Sequence, residues 1–287
     1  MKRLIVVLAG TALLAACAPA QSGSLGPAPT VAPEITASPA QPTASTSASS
    51  SAVGTTPAGT VTVQAWFTRG GRLFATRRTE PRTVATSRLA LTKLVDGPTA
   101  AEAAAGMGNA IPPGTVFTIE GISRGAETVD FPASFYTGSR DVARLRQAQV
   151  VYTLTQFATV SRVGFKKSGE ATGAPVGRAD YADLLPAIVV TSLVIGELVT
   201  SPVTIAGTAN VFEATVSIGI LDARGVEIAT TFTTATCGSG CRGAYSASVG
   251  YALNNEQRGT VEVYEVSAKD GSRINVVDIP VVLAPTR

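Results

Sequence analysis

The segment from residue 17 to residue 60 limits where this chain can fold. Of its 44 residues, 36 are Ala, Ser, Thr, Pro or Gly, and Glu34 carries the only charge. Such a composition cannot bury enough apolar surface to offset the entropy of ordering the chain, so we predict a disordered tether. As a flexible coil it would span roughly 35 to 40 Å, and roughly 100 Å if its prolines held it extended. The folded part of the protein is therefore expected from residue 61 onwards.

The first 16 residues have the pattern of a secretory signal peptide. Lys2 and Arg3 precede an apolar run that ends at residue 16 and is shorter than the roughly 20 residues a membrane-spanning helix needs. The run leads into LAAC, which resembles the lipobox of bacterial lipoproteins. The resemblance implies cleavage before Cys17 and a diacylglycerol on its sulfur. The lipid would hold the protein in the cell membrane, at the extracytoplasmic face. An ordinary secretion signal cut nearby is the alternative.

Charge and residue usage argue against several classes of function. The chain has 23 basic and 20 acidic residues, and loss of Lys2 and Arg3 with a signal peptide leaves 21 basic residues, which is near neutrality. No dense stripe of Lys and Arg with interleaved aromatic residues occurs, so nucleic acid is not an expected partner. Short basic clusters such as Arg77-Arg78 are expected to solvate exposed strands. The sequence contains no histidine, which excludes Ser-His-Asp and Cys-His catalysis, and we expect neither a metal nor a cofactor.

Residues 61 to 167 are predicted to form a small α/β module. In VTVQAWFT (61 to 68) apolar and polar residues alternate with the period of a half-buried strand. Gly70-Gly71 then leads into a returning strand at RLFATRRTE (72 to 80), as in a hairpin. The elements predicted next are a helix over 84 to 96, the strands TVFTIEGI and AETVDF, a helix from about Ser139 to Phe157 and the strand VSRVGFK.

The stretch DGPTAAEAAAGMGNAIPPGT, residues 96 to 115, consists of turn and capping signals. Gly97 lies where a helix ends, and the following proline prevents its continuation. Thr99 and Glu102 have the spacing of a capping box, in which the two side chains satisfy backbone N–H groups at a new helix start. Pro-Pro-Gly at 112 to 114 predicts an abrupt turn. The order G-x-x-x-x-G-K-[ST] is absent, so a phosphate-binding loop is not indicated.

The last third of the chain is dense in strand signals. Residues 168 to 186 are rich in Gly, Pro and small polar residues, and we predict a linker there. Seven candidate strands follow within residues 187 to 287, near 187–195, 203–211, 214–222, 226–235, 243–252, 260–267 and 273–283. This pattern is typical of an immunoglobulin-like sandwich, although the Cys-Trp-Cys spacing of antibody domains is absent. The predicted fold class is α+β: an α/β module followed by an all-β sandwich, preceded by the tether.

Both modules resemble known families. The order from VTVQAWF through LVDGPTAAEAAAGMGNAIPPGT to LRQAQVVYTLTQFATVSRVGF, over residues 61 to 167, resembles the GerM-type sporulation and germination domain. The segments SPVTIAGTANVFEATV and VYEVSAKDGS, within residues 187 to 283, resemble the immunoglobulin-like domain that often follows it in bacterial germination-related proteins. The first resemblance implies a small α/β domain of envelope lipoproteins without established catalytic residues, and makes assembly an expectation.

Two cysteines lie within the predicted sandwich. Cys237 and Cys241 are spaced as CGSGC and lack two further soft ligands nearby, which argues against a zinc site. A secreted protein meets an oxidising environment, so we predict a disulfide between them across a hairpin tip.

Charged residues supply the other candidate sites. Glu213 interrupts the apolar run VFEATV and is expected to be a partly buried acid, either catalytic or paired with a nearby base. Arg140, Arg144 and Arg146 lie in the first half of the long helix, where the helix dipole disfavours cations. They would contact an anionic wall polymer or a partner, or they form a solvated helix face.

The leading functional hypothesis is a non-enzymatic, lipid-anchored envelope protein whose modules bind a partner protein, a wall polymer or further copies of itself. The alternative is a cell-wall glycan hydrolase, because the 20 acidic residues can supply two carboxylates roughly 5 to 9.5 Å apart. A carrier of a small ligand is less favoured, since neither module is large enough for a two-lobed cleft. Two facing acids in a pocket would favour the hydrolase, whereas an exposed strand edge or apolar patch would favour assembly.

Overall fold

The structure, a computed structural model, describes residues 59 to 286. The predicted signal peptide and nearly all of the predicted tether, including Cys17, lie outside these residues. Within the described range, no helix has the length and apolar character needed to cross a membrane. An α/β module is followed by a β-sandwich, which confirms the predicted fold class for this part of the chain.

The first module contains two small sheets and three α-helices. Its elements are β1 (Thr60–Arg69), β2 (Arg72–Pro81), α1 (Thr86–Asp96), α2 (Ala100–Ala104), β3 (Met107–Gly108), β4 (Thr118–Ser123), β5 (Ala126–Phe131), α3 (Arg140–Leu154), β6 (Arg162–Lys167) and β7 (Glu170–Ala171). The sheet orders are β2-β1-β3 and β4-β5-β6-β7, with β5 and β6 parallel and the other pairs antiparallel. The predicted elements are all present. The two-residue strands β3 and β7 were not predicted, because two residues have no period.

Helix α3 and the turn after it complete the hydrogen bonding of β1. Strand β2 covers one edge of β1 throughout, whereas β3 covers only the end of the other edge. Side chains take the place of the missing strand. Gln156 exchanges two hydrogen bonds with the backbone of Gln64 (2.7 and 2.8 Å). Thr153 accepts from the N–H of Trp66 (3.1 Å), and Gln149 donates to the Trp66 carbonyl (2.8 Å). Positions 149, 153 and 156 share one helix face, so this face fixes α3 along β1.

The capping box predicted at Thr99 and Glu102 is confirmed. The N–H of Glu102 donates to the Thr99 hydroxyl (3.3 Å), and the N–H of Thr99 donates to the Glu102 carboxylate (2.7 Å). The Glu102 carboxylate is also fully buried. It accepts a hydrogen bond from the Thr76 hydroxyl (2.5 Å) and forms an ion pair with Arg78. Burial by itself raises the pKa of Glu102, but the hydrogen bonds from Arg78, Thr76 and Thr99 lower it below its ordinary value. One side chain therefore starts α2 and attaches it to β2.

The second module is a two-sheet β-sandwich. Its strands are β8 (Ile188–Val190), β9 (Leu198–Val199), β10 (Val203–Ala209), β11 (Thr215–Leu221), β12 (Glu227–Thr234), β13 (Gly243–Val249), β14 (Gln257–Val266) and β15 (Arg273–Leu283). The sheet orders are β13-β10-β8 and β12-β11-β14-β15-β9. The seven predicted strands are all present, and β9 is an additional short strand. Alternate residues of β11 and β14, among them Ile218 and Val261, are fully buried between the sheets.

The predicted disulfide between Cys237 and Cys241 is present, with 5.7 Å between the Cα atoms. The prediction that it spans a hairpin tip is wrong, because β12 and β13 pair in different sheets and the loop between them crosses from one sheet to the other. Gly243 at the start of β13 lies so close to this loop that a Cβ atom there would be 2.1 Å from the Cys237 nitrogen. The disulfide therefore closes a tightly packed corner of the sandwich.

The segment predicted as a linker packs against the first module. A 3₁₀ helix, Arg178–Leu184, lies on α3 and buries Tyr181, whose hydroxyl donates to Gln147 (3.1 Å). The two modules also contact each other directly. Arg77 on β2 donates to the Ser192 carbonyl (2.5 Å) and pairs with Glu197 (3.2 Å). The expectation that Arg77 and Arg78 only solvate an exposed strand is therefore wrong.

Replacement of Gln149 by Leu should destabilise the protein. Leucine has a similar size but leaves the Trp66 carbonyl and the Ala110 N–H, which donates to Gln149 (3.0 Å), without partners. Each buried unsatisfied group costs about 1 to 3 kcal/mol, so the free energy of unfolding from urea denaturation should fall by at least about 2 kcal/mol. Gln257→Leu, at a half-buried strand position, is the control and should change little. Equal stability of both variants would contradict the role of α3 described above.

Glu102→Gln should cost about 3 to 5 kcal/mol of stability, because it leaves Arg78 partly buried without its counter-ion. The control, Glu120→Gln, removes an exposed ion pair with Lys166 and should cost at most about 1 kcal/mol. The folded state lowers the pKa of Glu102. The ionised carboxylate therefore stabilises the fold above the unfolded-state pKa, and this stabilisation is lost as the pH falls through the folded-state pKa. The difference between wild type and E102Q should shrink on acidification, and a pH-independent difference would refute the electrostatic explanation.

Candidate functional site

The three arginines singled out on α3 do not form one binding surface. Arg146 is buried and donates to the carbonyls of Ala110 (2.7 Å), Phe135 (2.8 Å) and Thr137 (2.7 Å). It is neither a polymer contact nor part of a solvated face, because its guanidinium links the loop at Ala110 to the 3₁₀ turn at Phe135 and Thr137. Arg144 forms a two-point ion pair with Asp183 of the 3₁₀ helix (2.6 and 2.7 Å). Arg140 is exposed.

Glu213 is exposed, so the expectation of a partly buried acid is wrong. The run VFEATV does not continue as a strand. Residues Phe212–Ala214 form a 3₁₀ turn, in which Glu213 has a left-handed backbone (φ 51°) and its N–H donates to the Ser239 hydroxyl (3.1 Å). The turn rotates the side chain away from the sandwich core.

Three clefts in the described residues are each lined by one acidic side chain. Glu127, Asp180 and Asp278 each line a different cleft, without a second acidic side chain. Between residues 59 and 286 there is also no group of three or more Cys, Asp or Glu side chains placed to hold a metal ion. The facing carboxylates that would favour glycan hydrolysis are therefore not found in these clefts.

The largest of these clefts lies on the first module, between the first turn of α1, strand β4 and the loop after α3. We call it the β4 cleft; its volume is about 520 Å³. Its walls carry Val84 and Ile122, which are 98% and 47% exposed, together with Ile119 and Phe157. Large apolar side chains clustered at an opening are typical of interaction sites.

Strand β4 forms a free edge beside this cleft. It is the terminal strand of its sheet and pairs with β5 on one side only. A register shift between Ile119 and Gly121 bends it, and Gly121 has a φ of 139°, which a side chain would strain. The backbone of β4 is thus open to a further strand among the described residues, and this matches the exposed strand edge that would favour assembly.

Glu127 is the acidic residue of the β4 cleft, whose polar lining also includes Ser87, Arg88 and Thr159. It is 2% exposed, and its Oε2 atom has no hydrogen-bond partner. Burial raises the pKa of Glu127, and a hydrogen bond with Ser87 of α1 opposes the shift only in part. A buried acid with an unused acceptor next to an apolar opening can accept a hydrogen bond from a bound group.

The β4 cleft was not predicted, although one signal was available. In AETVDF, residues 127, 129 and 131 alternate with polar positions, and in β5 all three are buried. Glu127 therefore occupies a core-facing position where the pattern requires an apolar residue. The other walls come from α1, β4 and the loop after α3, which are distant in sequence, so the pattern could not have shown the cleft itself.

Within the described residues, an α/β module with a free sheet edge is followed by an immunoglobulin-like sandwich, which defines a two-domain architecture. Residues 43–172 match the family described as sporulation and spore germination. Residues 187–272 match the family described as immunoglobulin-like domain of bacterial spore germination. The chain therefore contains a region similar to the sporulation and spore germination family, followed by one similar to the immunoglobulin-like domain of bacterial spore germination.

Two solved structures from Bacillus subtilis are similar to parts of this chain. The first GerMN domain of the sporulation protein GerM is 22% identical, with 41% of this chain and 95% of that chain covered and a TM-score of 0.36. The tandem GerMN domains of the same protein are 16% identical, with 80% of this chain and 62% of that chain covered and a TM-score of 0.38. No match was found among curated proteins.

Glu127→Gln should stabilise the protein at neutral pH. The folded state raises the pKa of Glu127. The contribution of this side chain to the free energy of unfolding is therefore complete below the unfolded-state pKa and is lost as the pH rises through the folded-state pKa. The amide cannot ionise, so the melting temperature of E127Q should exceed that of wild type at pH 7, and the difference should shrink towards pH 4. Glu170→Gln, at an exposed position of β7, is the control. A melting temperature of E127Q below wild type at pH 7 would show that the ionised carboxylate has a partner.

Proposed function

We propose that this protein is a non-enzymatic, lipid-anchored component of the bacterial envelope that binds a partner protein in the β4 cleft of its GerM-type domain. The observation that carries the proposal is the combination, at one place, of exposed apolar residues and a free strand edge. The sporulation and germination domains support an envelope role, and LAAC before Cys17 supports a lipid anchor.

The occupant that fits this site best is an extended segment of a partner protein. Addition of a strand to the β4 edge would supply backbone hydrogen bonds, while alternate side chains enter the cleft. An apolar side chain is complementary to Val84 and Ile122, and a neighbouring hydrogen-bond donor is complementary to Glu127.

The binding proposal predicts site-specific crosslinking in living cells. A photoreactive amino acid at Ile122 should crosslink to one defined protein, whereas the same amino acid at Val116, which is 70% exposed outside the cleft, should not. Ile122→Asp, combined with the photoreactive group at Val84, should abolish the crosslink because it places a charge at the apolar wall. Val116→Asp is the matched control.

Other outcomes of this experiment identify the competing functions. Crosslinks between two copies of this chain would show that the cleft mediates self-association and does not bind a different protein. Equal labelling at Ile122 and Val116 would refute the cleft as a docking site. Release of wall fragments by the purified protein, lost in an amide variant that keeps its melting temperature, would favour the hydrolase.

The lipid anchor predicts the location of the protein independently of its partner. Cys17→Ala should move the protein out of the membrane fraction or leave it as uncleaved precursor, because a thioether-linked diacylglycerol requires the sulfur. The measurement is cell fractionation followed by intact mass. Normal cleavage and unchanged membrane partition of C17A would contradict the anchor.

A further inference from the structure

A second cleft lies where the two domains meet. We call it the junction cleft; its volume is about 490 Å³. The first domain and the connecting 3₁₀ helix contribute Gln64, Trp66, Tyr152, Arg178, Ala179, Ala182 and Leu185, and the sandwich contributes Val189, Thr191, Thr208 and Arg242. Clefts between domains are frequent positions for small-molecule sites.

The junction cleft contains two arginines and no acidic side chain. Arg178 donates to the Thr155 hydroxyl (2.7 Å) and the Tyr152 carbonyl (3.1 Å). Arg242 donates to backbone carbonyls, among them that of Pro186 (2.6 Å). Neither forms an ion pair with an acid of the described chain, in contrast to Arg144. A guanidinium carries more N–H groups than these bonds use, so both cations keep free donors.

Aromatic rings and carbonyl groups surround the two guanidinium groups, and no acidic side chain lines the cleft. Arg178 lies over the rings of Trp66 (5.8 Å) and Tyr152 (5.1 Å), which pack on each other with 4.8 Å between their centroids. Burial lowers the pKa of the half-buried Arg242. The buried Nε1 of Trp66 also has no partner. Arg178 is exposed and Arg242 is half-buried, so an anion can reach both guanidinium groups from solvent.

The remaining walls limit the size and character of a ligand. Ala179, Ala182, Leu185 and Val189 offer small apolar surfaces, and Thr191 and Thr208 offer hydroxyls at the sandwich side. A guanidinium binds carboxylate or phosphate oxygens through two parallel N–H donors. The cleft therefore matches a compact molecule with one charged end and one apolar end.

We propose that the junction cleft binds a small anion whose carboxylate or phosphate group contacts Arg178 and Arg242 and whose remainder is small and apolar. This site is separate from the β4 cleft and does not depend on its occupant. Because Arg178 belongs to the connecting helix and Arg242 to the sandwich, the anion would also join the two domains, and its binding would raise the melting temperature.

Trp66, the single tryptophan of the sequence, reports on this cleft directly. The purified full chain should show a saturable change of tryptophan emission with N-acetyl-alanyl-alanine or with inorganic phosphate. The C-terminal amide of the same dipeptide is the neutral control and should have no effect. Saturation by the dipeptide identifies a carboxylate ligand, and saturation by phosphate alone identifies a phosphate ligand.

Arginine variants test the assignment of the residues. Arg242→Gln should weaken binding roughly tenfold or more, as expected for loss of hydrogen bonds to a charged group, and Arg242→Lys should retain part of the affinity. Arg178→Gln should act similarly, while Arg224→Gln, at an exposed turn, should bind normally. Melting curves of each variant verify folding. No emission change with either anion at millimolar concentration, equal binding of the amide, or unchanged affinity in both folded Gln variants would overturn the proposal.

Discussion

The second edge of β1 is the constraint on which the first domain depends. A strand with an open edge inside a protein leaves backbone groups that must find partners. Here Gln149, Thr153 and Gln156 provide them from one face of α3 and the turn after it. Side-chain partners replace a strand, so the helix cannot rotate or slide without loss of several hydrogen bonds. The position of α3 is thereby determined by polar contacts as well as by its apolar face.

Both clefts follow from this placement of α3. On one side, Tyr152 packs against Trp66 and forms a wall of the junction cleft. At its end, the loop that carries Phe157 forms a wall of the β4 cleft. The two clefts differ in charge, since a buried acid with an unused acceptor lies in one and two arginines without acidic partners lie in the other. The β4 cleft therefore holds one acid and one arginine, Arg88, whereas the junction cleft holds two arginines and no acid.

The arginines of this protein have different roles, which their positions in the sequence do not reveal. Arg77 and Arg78 are adjacent on β2, yet one reaches the sandwich and the other pairs with the buried Glu102. Arg146 links two loops, whereas Arg178, in the segment predicted as a linker, lies over two aromatic rings. A charged side chain is several bonds long, and its partner is decided by which elements pack within its reach. The arginines of the junction cleft could therefore not be found from charge clusters.

The sequence by itself determined the order of helices and strands, the two-domain fold class, the capping box at Thr99 and the disulfide at Cys237, because periodicity, capping and short spacing act over a few residues. Only the tertiary structure decided that Glu102 is buried between elements, that Glu213 is exposed, and which residues line the two clefts. These properties depend on contacts between segments tens to more than a hundred residues apart. Such contacts arise when the elements pack, and no local pattern specifies them.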